Sequence, residues 1–132
     1  MTTDATPQRP YYDLLGLQQG PIGDGSSEIA LPADPRLGNS RGDVHGGAIF
    51  GLLDAACASA ARSSMPPGMG CATVSLTANF LAPGRGRLVA RGTVLRTGRR
   101  IVAVEAEARD ESGALVAKAQ GTMAVLRPRD GD

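Results

Sequence analysis

The chain has 132 residues, enough for one domain with a substantial core and too few for two. Fourteen basic and thirteen acidic residues leave a formal net charge of +1, too small for a field that draws a protein to nucleic acid or a membrane surface. No apolar run reaches the roughly 18 residues of a membrane span, and MTTDATPQRP at the N-terminus has no signal-peptide core, so a cytoplasmic protein is expected.

Residues 1–10 read as a polar, proline-punctuated tail. Tyr11–Leu17 (YYDLLGL) is a short amphipathic piece of one or two helical turns covering an edge. Glu28–Leu31 is a short strand candidate closed by Pro32 and Pro35, and the glycine-rich loop LGNSRGDV follows it. Val44–Ala61 (VHGGAIFGLLDAACASAA) is an apolar helix that must end before Pro66 and Pro67.

From Cys71 the pattern changes to period two. Val74, Leu76, Ala78 and Phe80 fall on one face of the next strand, with Thr73, Ser75, Thr77 and Asn79 on the other. PGRG turns it into a second strand, Arg87–Thr97. Thr97-Gly98-Arg99 turns that into a third, Arg100–Asp110, where Val102, Val104, Ala106 and Ala108 oppose Glu105 and Glu107. Glu111-Ser112-Gly113 leads to a fourth, Ala114–Leu126. Three tight connections in a row imply an antiparallel meander. The layout is α+β: an antiparallel sheet wrapped around one long helix, in a single domain over residues 11–128 with a tail at 129–132.

The chemistry concentrates in the helix. Its apolar character on all sides implies burial all round, yet it carries one charge, Asp54, and a buried carboxylate without a partner is costly. His45, the only histidine, precedes Gly46 and Gly47 at the helix N-terminus, where backbone N–H groups lack internal acceptors. Cys57 and Cys71 lack the spacing of a metal site or a disulfide framework and read as reduced, structural thiols.

This arrangement resembles the hotdog-fold acyl-CoA thioesterases, in the branch of the phenylacetic-acid-pathway and 4-hydroxybenzoyl-CoA thioesterases. The resemblance runs from about Tyr11 to Pro128. It rests on GNSRGDVHGGAIFGLLDAAC, on TVSLTANFLAPG and on LRTGRRIVAVEAEARDESGALVAKAQGTMAVL. It implies hydrolysis of a small, medium or aryl acyl-CoA with no metal or redox cofactor, coenzyme A entering only as part of the substrate.

By position, the resemblance makes Asp54 the general base or nucleophile and the Gly46 N–H the donor that polarises the carbonyl. It sets Asn39 and Thr73 to place the thioester or the attacking water, and His45 beside the glycines. Gly47, Arg96, Gly98, Arg99 and Arg100 match substrate and coenzyme A contacts. It further implies a homodimer in which Asn39 and Gly46 of one subunit face Asp54 and Thr73 of the other, with dimers pairing into a homotetramer.

Plainer readings stand beside these. Asp54 could be a structural acid bonded to backbone, His45 a group that holds the helix entry, Asn39 a turn residue and Thr73 an ordinary strand threonine. Cys57 reads as packing. Thirteen of the fourteen basic residues are arginine, six of them between Arg85 and Arg100; they read either as a phosphate-binding rim or as solvated edge residues. Two rival functions remain: a hotdog hydratase or dehydratase, which pairs a histidine with an acid, and a non-catalytic acyl-CoA sensor.

Overall fold

A computed structural model describes residues 9–128; the tail assignments at residues 1–8 and 129–132 lie outside them. Helix α1 (Pro10–Leu15) opens on a proline that fixes its first turn and closes at Gly16, whose φ of +71° is the left-handed cap that ends so many helices. Pro10 thus begins a helix that the sequence pattern starts at Tyr11.

Two strands follow, β1 (Gln18–Gly23) and β2 (Ser26–Leu31), paired antiparallel. Only the second was expected. The turn between them is Asp24-Gly25, both at positive φ (52° and 80°), the residue pair a two-residue hairpin of type I′ demands. Gly20 and Pro21 break the alternation of β1, and its pairing slips between Gln19 and Ile22. Such a strand is tolerated at a sheet edge.

After a 3-10 turn at Pro35–Leu37, helix α2 runs from Gly46 to Ser63 and stops short of Pro66-Pro67, as expected. Strands β3 (Gly70–Phe80), β4 (Leu88–Thr97), β5 (Ile101–Arg109) and β6 (Leu115–Leu126) complete a six-stranded antiparallel sheet of order β1-β2-β4-β5-β6-β3. Hairpins join β4 to β5 and β5 to β6, but β3 and β4 are not neighbours, so the meander has two tight connections and not three. β3 pairs with β6 at the far edge, and β4 pairs with β2. The PGRG segment is a crossing. Its buried Gly84 passes beneath the start of α2, where an added Cβ would lie 3.0 Å from Ile49 Cδ1, and its carbonyl accepts from the Val44 N–H at 2.8 Å.

The concave face of the sheet holds α2. Leu52, Leu53, Ala56, Cys57 and Ala60 are fully buried against Ile29, Leu88 and Ala90, and against the alternating Val102, Val104, Ala106 and Ala108 of β5. Burial of each leucine contributes about 1.5–3 kcal/mol, while the alanines and glycines let the backbones come close. At Gly92 the approach is closest, with Ser27 Oγ donating to the Ala56 carbonyl at 2.6 Å beside it.

Within one chain α2 is not covered all round, contrary to the sequence reading. Gly47 and Phe50 are exposed, and Gly51, Asp54, Ala55 and Ala58 half-buried, along one stripe of the helix. No helix is long and apolar enough to cross a membrane among the described residues.

Candidate functional site

Strand β3 runs antiparallel to α2 along its whole length. Cys71 Sγ lies 3.6 Å from the Ala58 carbonyl, Thr73 meets Asp54 one turn earlier, and the Phe80 ring lies beside Gly46 at the helix start. Strict alternation would turn Thr73 away from Leu76, Ala78 and Phe80. A bulge between Thr73 and Ser75 inserts Val74 as an extra residue and reverses the phase, so Thr73 and Leu76 share the inner face while Val74 is exposed. The Thr73 hydroxyl then donates to Asp54 Oδ1 at 2.7 Å and lies 3.4 Å from Met123 Sδ. Asp54 is half-buried and Thr73 exposed, so this pair faces outward from a single chain.

Asp54 borders a cavity of about 300 Å³ between α1 and α2, walled by Tyr11, Tyr12, Leu17, Gly51, Ala55 and Ala58. The sequence reading assigned no pocket role to these residues. The small-residue spacing Gly51, Ala55, Ala58 beside a tyrosine pair is the signal that was available.

At the helix start, His45 is the N-cap. Its Nδ1 accepts from the Gly47 N–H at 2.8 Å, its own N–H donates to the Leu37 carbonyl at 2.8 Å, and its carbonyl accepts from Ala48 and Ile49. The imidazole thereby consumes the Gly47 donor. The Gly46 N–H has no acceptor among the described residues, which leaves it as the free donor at the positive end of an 18-residue helix.

Asn39 holds the loop that leads there. Its Oδ1 accepts from the N–H groups of Arg41 (2.9 Å) and Asp43 (3.1 Å), and its N–H donates to the Asp43 carbonyl. The side-chain NH₂ is left without a partner among the described residues. Asn39 is thus a turn residue that still presents a donor.

Gly46 and Asp54 are eight residues apart on one helix, a rise of about 12 Å. Within one chain the Gly46 N–H and the Asp54 carboxylate are therefore set well apart.

The two thiols are unsuited to nucleophilic work. Burial pushes Cys57 up to about 12, with Asp54 and Glu105 adding to the effect, and burial likewise raises Cys71. Of the arginine cluster, Arg85 pairs with Asp43 (2.8 Å) and Arg91 with Glu28 (3.0 Å). Arg96, Arg99 and Arg100 are exposed and outside any ion pair among the described residues. They surround Gly98, whose N–H closes the β4–β5 turn on the Ile101 carbonyl. Thr97, Gly98 and Arg99 share a hollow of about 380 Å³ with Met65 and Met69. The structure therefore brings Asp54 and Thr73 together, and His45, Gly46 and Gly47 together, while the arginine turn stands apart.

The sequence profile of the thioesterase superfamily matches residues 41–117. A Halobacterium salinarum protein that carries the provisional name of esterase is 32% identical over 125 residues, covering 86% of this chain and 83% of that protein. A conserved protein of Pseudomonas aeruginosa is 38% identical with a TM-score of 0.86, covering 90% of this chain and 95% of that one. A Ralstonia eutropha protein, described as phenylacetic-acid-degradation-related and provisionally as a thioesterase, is 30% identical with a TM-score of 0.83 (90% and 92% covered). The architecture is the hotdog fold.

Proposed function

The chain belongs to the thioesterase superfamily, and on that premise we propose that it hydrolyses an acyl-CoA thioester to the free acid and coenzyme A. The observation that carries the reading is the Asp54–Thr73 pair, held at 2.7 Å by the bulge in β3 and opening on a cavity of about 300 Å³. With one carboxylate oxygen fixed by Thr73, Asp54 takes a proton from water as the water oxygen bonds to the thioester carbon. The Gly46 N–H receives the charge that develops on the carbonyl oxygen, worth roughly 3–4 kcal/mol for one such donor. The C–S bond then breaks, and the leaving sulfur takes the proton back from Asp54. In the alternative order Asp54 attacks first and expels the thiolate, and water then cleaves the resulting anhydride.

The 12 Å along α2 between Gly46 and Asp54 supports a shared site, with Asn39 and Gly46 of one subunit facing Asp54 and Thr73 of the other. The exposed apolar residues Phe50, Val74, Phe80 and Leu81, gathered along α2 and the outer strand β3, supply a surface for such a dimer. The Ralstonia relative supports the phenylacetic-acid branch, and the free cations Arg96, Arg99 and Arg100 suit the phosphates of coenzyme A.

The test is free-thiol release from acetyl-, hexanoyl-, lauroyl-, benzoyl- and phenylacetyl-CoA by wild type and Asp54→Asn. Turnover that falls a hundredfold or more in the variant is expected. Saturable binding without turnover points instead to a sensor. Mixing inactive Asp54→Asn with inactive Asn39→Ala subunits should restore about one site in four, since one of the two sites in each mixed dimer is intact. No recovery after confirmed subunit exchange refutes the shared site.

A further inference from the structure

The cavity beside Asp54 is polar at its far end in a way that hydrolysis of a hydrocarbon acyl group does not use. Tyr12 lines the cavity, its hydroxyl oxygen buried in the wall without a well-formed hydrogen bond among the described residues and with the Arg9 guanidinium beside it. Buried hydroxyls are nearly always paired. Arg9 and Arg62 border the same cavity. The Arg9 guanidinium stacks 4.0 Å over the Tyr12 ring and donates to Gln19 at 3.3 Å. Neither arginine is ion-paired among the described residues, and Asp54 is the only carboxylate on the cavity wall.

Asp54, Ala58 and Arg62 follow at intervals of four along α2. The Cα atoms of Asp54 and Arg62 are therefore about 12 Å apart along the helix, with both side chains bordering the cavity.

We propose that this cavity takes an acyl chain ending in a carboxylate, so that the substrate is the coenzyme A thioester of a short dicarboxylic acid, with Arg62 and Tyr12 reading the distal end. This rests on the hydrolytic reading above and names its substrate class. Thioester carbonyl at Asp54 and free carboxylate at Arg62 place unlike groups at opposite ends of the cavity, and Gly51, Ala55 and Ala58 line the methylenes between. The guanidinium supplies paired donors that match a carboxylate, and the Tyr12 hydroxyl stands in the wall beside them. Burial raises the Tyr12 phenol, with the Arg9 and Arg62 guanidiniums opposing it. Arg9 acts through Tyr12 by holding its ring.

The test compares adipoyl- with hexanoyl-CoA, and glutaryl- with pentanoyl-CoA, pairs matched in carbon count. Wild type should favour the carboxylate member of a pair at least tenfold in kcat/KM. Arg62→Met should abolish that preference while leaving the hydrocarbon member within about twofold, and Tyr12→Phe should reduce it severalfold. Equal rates for both members in wild type overturn the proposal. So does an Arg62→Met loss shared by all substrates with weaker inhibition by free coenzyme A, which assigns the guanidinium to coenzyme A phosphate.

Free adipate supplies a readout independent of turnover. It should raise the Tm of wild type and of Asp54→Asn more than hexanoate does, and should lose that advantage in Arg62→Met. If no thioester is cleaved yet adipate still stabilises, the hydrolytic reading fails and the anion site stands. If thioesters are cleaved and adipate has no advantage over hexanoate, the anion site fails alone.

Discussion

Gly92→Ala should destabilise the fold strongly and impair catalysis without touching the cavity. Gly92 sits in β4 opposite Ala106, at the closest approach of sheet and helix. A Cβ there would lie 2.7 Å from Ser27 Oγ, 2.8 Å from the Ala56 carbonyl carbon and closer still to the Ala56 oxygen, well inside the 3.4 Å at which ordinary contact begins. Two of the three atoms are helix backbone, so a side-chain rotation does not relieve the overlap; α2 must move.

Overpacking of this kind costs about 1–3 kcal/mol. Breaking the Ser27–Ala56 hydrogen bond in a buried setting adds about 1–2 more. A loss near 3–4 kcal/mol lowers Tm by roughly 10–15 °C for a domain of this size and stays within the reserve of an ordinary fold. Urea melts should show a lower midpoint at unchanged m. Turnover should also fall, because Ala56 is two residues from Asp54 and its displacement opens the Thr73–Asp54 distance. A loss under 1 kcal/mol refutes the reasoning. Full rescue by Ser27→Ala in the double variant also refutes it, because the hydroxyl and not the helix backbone would then set the spacing.

Thr73→Val should lower kcat about tenfold with little change in KM, and Thr73→Ser should restore most of it, as read by steady-state thiol release. His45→Ala should cost about 1 kcal/mol in urea melts through loss of the N-cap, and His45→Asn should recover most of that stability. Cys57 gives a pH signature. Its thiol lies at about 12 in the folded chain against an ordinary value near 9, so below pH 9 both states are protonated and stability is complete. Between pH 9 and 12 the unfolded chain ionises first, and stability is lost, with an end value of a few kcal/mol. Urea midpoints of wild type and Cys57→Ala should therefore run parallel from pH 7 to 9 and converge or cross above it; parallel behaviour to pH 10.5 contradicts the assignment.

The features legible in the sequence were those written locally. Period two in Val102–Ala108 and the turns at Gly98 and Gly113 specify the β4–β5–β6 hairpins, and the apolar run closed by Pro66-Pro67 specifies α2. The order of strands is not local. Nothing in PGRG distinguishes a tight turn from a crossing, because what moves β3 to the far edge is its pairing with β6, whose partner residues lie 37 to 56 positions further along the chain. β1 escaped notice because Gly20 and Pro21 interrupt its pattern, although Asp24-Gly25 announces the hairpin.

At the candidate site, Asp54 was legible as the lone carboxylate of an apolar helix. Thr73 had a role only by resemblance, since its periodicity pointed it away from Leu76; the single extra residue at Val74 reverses that, and a bulge leaves no compositional mark. The turn bonds of Asn39 were foreseen as its plainer reading; for His45 a role at the helix entry was foreseen, but not the capping bond, in which the imidazole accepts from the Gly47 N–H. The burial of the Tyr12 hydroxyl was not foreseen, because it is a property of three-dimensional packing.

The two sides of α2 differ in what they can absorb over generations of mutation. The side against the sheet packs Leu52, Leu53, Ala56, Cys57 and Ala60 into the core, with Ala56 set against Gly92 backbone to backbone, and an added methylene there has nowhere to go. That half of the helix is closed to drift, which holds the Asp54 backbone in one place. The other side meets α1, a six-residue helix contributed by the chain's first described segment, and is half open to solvent. Substitutions there reshape the space beside the carboxylate without disturbing its anchorage. On the proposed function, the position of the carboxylate and the shape of the space beside it are thus set by separate surfaces of one helix, and substitutions on α1 and on the open stripe of α2 alter the second without the first.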